Sequence, residues 1–169
     1  NLLSVRKNIN DNLDSKNKKI SINDFFIKAS AIALAENPDC NIIWEEENLV
    51  KFKNSNIGVA ISSNSGLYTP TLNNVQSKSL SDISNEMKLL IGKADEKSLR
   101  GTDFEDCSHA ISNLGMYGVD NFDAIINPPN SSILAIGAVQ SKLEMVNEKT
   151  RDSKMISLTL SVDHRAIDG

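Results

Sequence analysis

The sequence predicts one α+β domain built on a mixed sheet, and three observations support this. Apolar residues recur at helical spacing in separate stretches, short β-rich runs stand between them, and the clearest strand alternation closes the chain. No internal repeat or low-complexity linker divides the 169 residues, of which 40% are hydrophobic and 24% charged, so a single substantial core is expected.

Leu2, Val5, Ile9 and Leu13 predict an opening amphipathic helix, after which DSKNKK reads as an exposed polar turn. Ser21 and Asp24 form a capping-box pattern ahead of FFIKASAIALAE. The small and aromatic residues there predict a buried helix that Asn37-Pro38 stops. NIIW, LVKF and NIGVAI follow as β-rich runs separated by EEEN and KNSN, which suggests antiparallel hairpins. Leu80, Ile83, Met87, Leu90, Ile91 and Ala94 mark another long amphipathic helix, with alternating acids and lysines as its solvated face. AIIN and SSILAIGAV then read as strands.

The closing segment is LTLSVDHRAIDG. Ile156, Leu158, Leu160 and Val162 fall on one face and Ser157, Thr159 and Ser161 on the other, the pattern of a half-buried strand. Asp163 and His164 come at its end, where rigid backbone gives way to loop. Histidine titrates near neutrality, so His164 there suits a general base; the alternative is a surface or capping residue.

The formal net charge of -4, with lysines spread among acids, gives no footprint for nucleic acid. Cys40 and Cys107 lack metal or disulfide spacing and fit a reducing compartment. No apolar run reaches membrane-span length, and NLLSVRKNIN lacks a signal-peptide pattern. Without an initiator methionine, the chain reads as a fragment of something longer. SNLGMYGV, with Gly115 and Gly118 beside Ser112 and Asn113, suits a tight turn bringing backbone close to a partner, or a glycine-rich hairpin. It has neither phosphate-loop spacing. NPPN reads as a locked extended connection.

Taken in order, ISINDFFIKASAIALAENPDCNIIW, GVAI with GLYTP, KSLSDISNEMKLL, ISNLGMYGVDNFDAIINPPNSSILAIGAV and LTLSVDHRAIDG resemble the catalytic domain of 2-oxo-acid dehydrogenase complex acyltransferases, the E2 components. The resemblance spans residues 1–169 as one domain shortened at both ends. SNLGMYGV followed by NF and AIINPP looks most like the pyruvate dehydrogenase branch, the dihydrolipoamide acetyltransferases.

That resemblance implies a two-layer fold like chloramphenicol acetyltransferase, arranged as homotrimers with active sites at subunit interfaces and assembled into a 24- or 60-subunit core. It implies coenzyme A as substrate, a lipoyl group carried covalently on a separate lipoyl domain, no metal, and E1 and E3 components as partners. Nucleic acid and membrane are not expected partners. The implied compartment is a bacterial cytoplasm or a mitochondrial matrix. Residue by residue, His164 matches the family's general base and Ser112 its oxyanion-stabilising serine. Asp168 matches the family's position four residues after the histidine, and is expected to orient that loop, with an arginine as a candidate partner. Arg165 is expected to be structural in preference to contacting coenzyme A.

One stretch departs from the family. EDCSHAIS places Asp106 and Cys107 where two glycines usually stand and His109 where an aromatic does. His109 is expected to be non-catalytic, either a surface residue or part of a channel wall, and Cys107 to be reactive only if its surroundings lower its pKa. A non-catalytic core scaffold, another 2-oxo-acid specificity, and a trimeric acetyltransferase of small hydroxylated molecules are the alternatives.

Overall fold

A computed structural model of the chain describes residues 2–13, 19–63, 66–146 and 148–169. Helix α1, Leu2–Asn12, forms as its spacing predicts, but none of its residues is buried. Polar bonds hold it: Arg6 Nε and Asn10 Nδ2 donate to the Ile20 carbonyl at 2.9 and 3.0 Å, and Ile20 N–H donates to Asn10 Oδ1 at 2.8 Å. The polar turn expected at 14–19 lies outside the described residues apart from Lys19.

Helix α2, Ile22–Glu36, starts at the predicted capping box: Asp24 N–H donates to Ser21 Oγ at 3.2 Å, and Ser21 N–H donates to Asp24 Oδ2 at 2.7 Å. It ends where Asn37 N–H donates to the Ala33 carbonyl. The buried helix expected here is covered along one stripe only, Asp24, Ile27, Ala31 and Leu34. Helix α3, Leu80–Asp95, has its own capping box at Ser79 and Asp82 and buries Ile83, Met87, Leu90 and Ala94 at the periodicity read from the sequence.

Strands β1, Ile42–Glu45, and β2, Asn48–Lys51, make the expected antiparallel hairpin. NIGVAI does not extend it. That run divides into β3, Ile57–Val59, and β4, Ile61–Ser63; β4 pairs with β5, Gly66–Tyr68, while β3 enters the main sheet beside β6, Thr71–Leu72. All three β3 residues are buried, as suits a central strand covered on both faces. The main sheet has five strands in the order β6-β3-β7-β8-β9, with β7 at His109–Asn113, β8 at Ser132–Val146 and β9 at Lys149–Val162. β3, β7 and β8 run parallel and the two edges antiparallel, so the sheet is mixed. Ile27, Ala31, Ile83 and Met87 of α2 and α3 pack with Ile57, Ile111 and Ile136 of the sheet, giving two layers around one core.

Two further expectations are corrected. AIIN, residues 124–127, forms no strand, and Ile125 is 91% exposed. NPPN is a turn around a cis Pro128-Pro129 bond, closed by Asn130 N–H donating to the Asn127 carbonyl at 3.1 Å, and is not extended.

The segment before Asn121 instead lies across β8. Ala138 N–H donates to the Val119 carbonyl at 2.8 Å beside a register shift between Ile136 and Val139. A Cβ at Gly137 would stand 2.0 Å from the Asp120 carbonyl oxygen, so the crossing needs glycine there. Because the obstruction is backbone, Gly137→Ala is expected to destabilise the fold by about 1–3 kcal/mol. Urea unfolding checks this, and an unchanged midpoint would contradict it. Beyond the register shift, β8 and β9 continue as a two-stranded ribbon on which Leu143 and Met145 are exposed.

Candidate functional site

Ser112 occupies the fourth position of β7, paired in parallel register with Ala135 of β8. The strand ends one residue later, because Asn113 Oδ1 accepts the Gly115 N–H at 2.9 Å and a 3-10 turn follows over Gly115–Tyr117. Gly118 closes that turn at φ +76°, a left-handed conformation that favours glycine. The tight-turn reading of SNLGMYGV therefore holds, and the hairpin reading does not. Asn113 Nδ2 donates to Asn23 Oδ1 at 3.1 Å, tying the strand end to the first turn of α2. Ser112 lines a cavity of about 360 Å³ walled by Val59, Ile61, Met87, Ile91 and Met116. Its hydroxyl makes no hydrogen bond among the described residues.

His164 follows β9 in a tight loop, with its side chain 78% exposed. It does not line the Ser112 cavity. Asp168 Oδ1 lies 3.8 Å from His164 Nδ1 and is itself 98% exposed. The arginine partner expected for Asp168 is not found among the described residues. Arg165 instead forks onto Asp163, with Nε 3.0 Å from Oδ1 and Nη2 2.7 Å from Oδ2. Hydrogen bonding to Arg165 holds the Asp163 carboxyl below its ordinary pKa. The Arg165 guanidinium also lies 5.8 Å from the centroid of the Trp44 ring. Sequence reasoning treated Trp44 as strand filling and Asp163 as a strand end; an acid two residues before an arginine at a strand terminus was the available signal.

His109 is neither a surface residue nor part of the Ser112 cavity. It is the first residue of β7 and 6% exposed, with Nδ1 hydrogen-bonded to Ser132 Oγ at 2.8 Å and Nε2 without a hydrogen-bond partner among the described residues. Burial pushes its pKa down from 6.5 to about 4. The unfolded chain, holding an ordinary imidazole, takes up the proton first, so this stability is whole above pH 6.5 and is lost as pH falls toward about 4. The loss is on the order of 3 kcal/mol. His109→Phe is expected to flatten the stability profile between pH 6.5 and 4.5 in urea unfolding; parallel profiles would refute this origin.

Cys107 is buried, and desolvation pushes its thiol pKa up although Asn130 Nδ2 donates to Sγ at 3.1 Å. The lowered pKa that reactivity required is absent. No helix among the described residues is long and apolar enough to cross a membrane.

Ser112 thus stands on β7 beside an apolar cavity, and His164 follows edge strand β9, two strands away in the sheet of a two-layer α+β fold. The chain belongs to the 2-oxoacid dehydrogenases acyltransferase (catalytic domain) family, whose model matches residues 1–169. A Rhizobium meliloti relative, the dihydrolipoyllysine-residue acetyltransferase component of pyruvate dehydrogenase complex, is 41% identical over 172 residues, covering 99% of this chain and 38% of that protein. The chain thus spans about two fifths of the length of the curated relatives it matches. Among solved structures, a probable dihydrolipoamide acetyltransferase from Listeria monocytogenes superposes with TM-score 0.92 at 31% identity, covering 99% of this chain and 72% of that one. The cubic core of a pyruvate dehydrogenase multienzyme complex gives 0.88 at 29% identity, covering 98% and 68%. Chloramphenicol acetyltransferase, at TM-score 0.53 and 15% identity over 88% of this chain and 71% of its own, shares the fold.

Proposed function

We propose that this chain is the catalytic core of a dihydrolipoyllysine-residue acetyltransferase, moving an acetyl group from a dihydrolipoyl thioester to the thiol of coenzyme A. The observation that supports this best is the division of the site. Ser112 opens on an apolar cavity that His164 does not enter, while His164 stands exposed on a loop whose backbone is fixed. Each half lacks what the other has, so a second copy completes it, as in a homotrimer with sites between subunits.

The chemistry then follows from the groups present. A thiol with an ordinary pKa of about 8.5 is mostly protonated at neutral pH. His164 removes that proton as sulfur attacks the acetyl carbonyl, and returns it to the departing dihydrolipoyl sulfur as the carbon-sulfur bond breaks. The carbonyl oxygen gains negative charge during attack, and the Ser112 hydroxyl donates to it. Asp168, whose Oδ1 lies 3.8 Å from Nδ1, is the residue placed to orient the imidazole. The apolar walls of the Ser112 cavity suit the hydrocarbon arm of a lipoyl group delivered by a separate domain.

Assembly of trimers into a 24- or 60-subunit core, with E1 and E3 components as partners, completes the proposal. A bacterial cytoplasm or mitochondrial matrix is its setting, since the relatives include bacterial proteins and a mitochondrial one of Arabidopsis thaliana. The test is acetyl transfer from acetyl-coenzyme A to dihydrolipoamide by the intact, assembled protein. Transfer at rates of about 1 per second or more supports the reading. Assembled particles without transfer overturn it.

A further inference from the structure

The His164 imidazole is largely exposed, yet the backbone on both sides of it is held. Asp163 N–H donates to the Ser131 carbonyl at 2.7 Å, and the Asp163 carbonyl accepts N–H bonds from Ala166 and Ile167 at 2.9 and 3.0 Å. The Asp163 carboxylate accepts the Arg165 N–H at 3.1 Å as well as the guanidinium fork. The guanidinium in turn lies over Trp44, the only tryptophan of the chain, on β1. β1 is tied back to the same place, because Ser131 Oγ donates to the Ile42 carbonyl. Ser131 therefore holds the loop through its carbonyl and the β1–β2 hairpin through its hydroxyl.

These contacts close a ring: Trp44, Arg165, Asp163, Ser131, Ile42 and back along β1 to Trp44. We propose that this ring is the positioning device of His164, with Trp44 and Arg165 acting as positioning residues that touch neither substrate. The inference rests on the function proposed above for His164. Its physical basis is the guanidinium's dual geometry. A planar fork can bond a carboxylate edge-on while one face lies on an aromatic ring, which an ammonium cannot reproduce. Through it the hairpin, outside the main sheet, restrains a loop one residue from the reacting nitrogen. A base displaced by about 1 Å can lose up to about 100-fold in rate, so the ring should be visible in kcat.

The experiment uses the intact assembled protein, with wild-type transfer measured first; no transfer there would overturn the functional reading and not the ring itself. Arg165→Lys and Trp44→Leu are each expected to lower kcat about tenfold, with KM for coenzyme A changed less than about twofold. The double variant should be no worse than the poorer single one, because both open the same ring. Trp44→Phe, which keeps an aromatic face, should stay within about twofold of wild type. A second readout is independent of turnover: Arg165→Lys should shift the emission of Trp44 while far-ultraviolet circular dichroism stays unchanged. Wild-type kcat in Arg165→Lys would overturn the inference, as would additive losses in the double variant. A loss confined to KM would make Arg165 a substrate contact and overturn it equally.

Discussion

Replacing His164 by alanine is expected to lower acetyl transfer by about 100-fold to 10,000-fold, the usual cost of removing a general base. The fold and the assembly should survive, because the imidazole is 78% exposed and its loop is held through backbone and through Asp163. Light scattering should therefore give the parental particle size. The defect should also shrink as pH approaches the thiol pKa of about 8.5, where thiolate forms without help. An alanine variant within about tenfold of wild type at pH 7 would defeat the assignment of His164, and a defect unchanged by pH would defeat its role as base.

Ser112→Ala is the second large effect, a fall of about 100-fold to 1,000-fold in kcat with little change in KM. The hydroxyl bonds to charge that exists only during attack, so its loss leaves substrate binding intact. Its contact with substrate is also separable from its contact with the fold, since β7 is held at this position by backbone pairing to β8. The two variants together test the division of the site. Subunits of His164→Ala and Ser112→Ala, unfolded together and reassembled in equal amounts, should regain about a quarter of wild-type activity if each site takes its serine and histidine from different copies. No recovery would place both groups in one subunit.

How much of this was legible beforehand depended on the kind of signal. The capping box at Ser21 announced α2 and the apolar periodicity from Leu80 to Ala94 announced α3, because both are local patterns read from spacing alone. The strand leading to His164 was equally plain, but its apolar face was not buried as read: Leu158 and Leu160 are 50% and 57% exposed, because β9 lies at the sheet edge. β3 was misread because a hairpin with the preceding run is the short-range solution. Its real partners, β6 and β7, are distant in sequence, and three consecutive buried residues show no alternation to reveal a face. Residues 124–127 have strand composition without a strand, the sheet being already complete across β8. Of the site, Ser112, His164 and Asp168 were readable through family resemblance. Trp44 was not, because its contact with Arg165 joins residues 121 positions apart that no local pattern links.

The ribbon formed by the outer halves of β8 and β9 bears on the life history of the chain. It presents exposed Leu143 and Met145, and β9 is an edge strand whose outer backbone groups have no neighbour within the subunit's main sheet. Such an edge is a template for indiscriminate pairing. A newly made subunit is thus in a race between finding its own kind and sticking to whatever is nearby. On the assembly proposed above, pairing between copies is second order in subunit, so it gains on that sticking as subunit concentration rises.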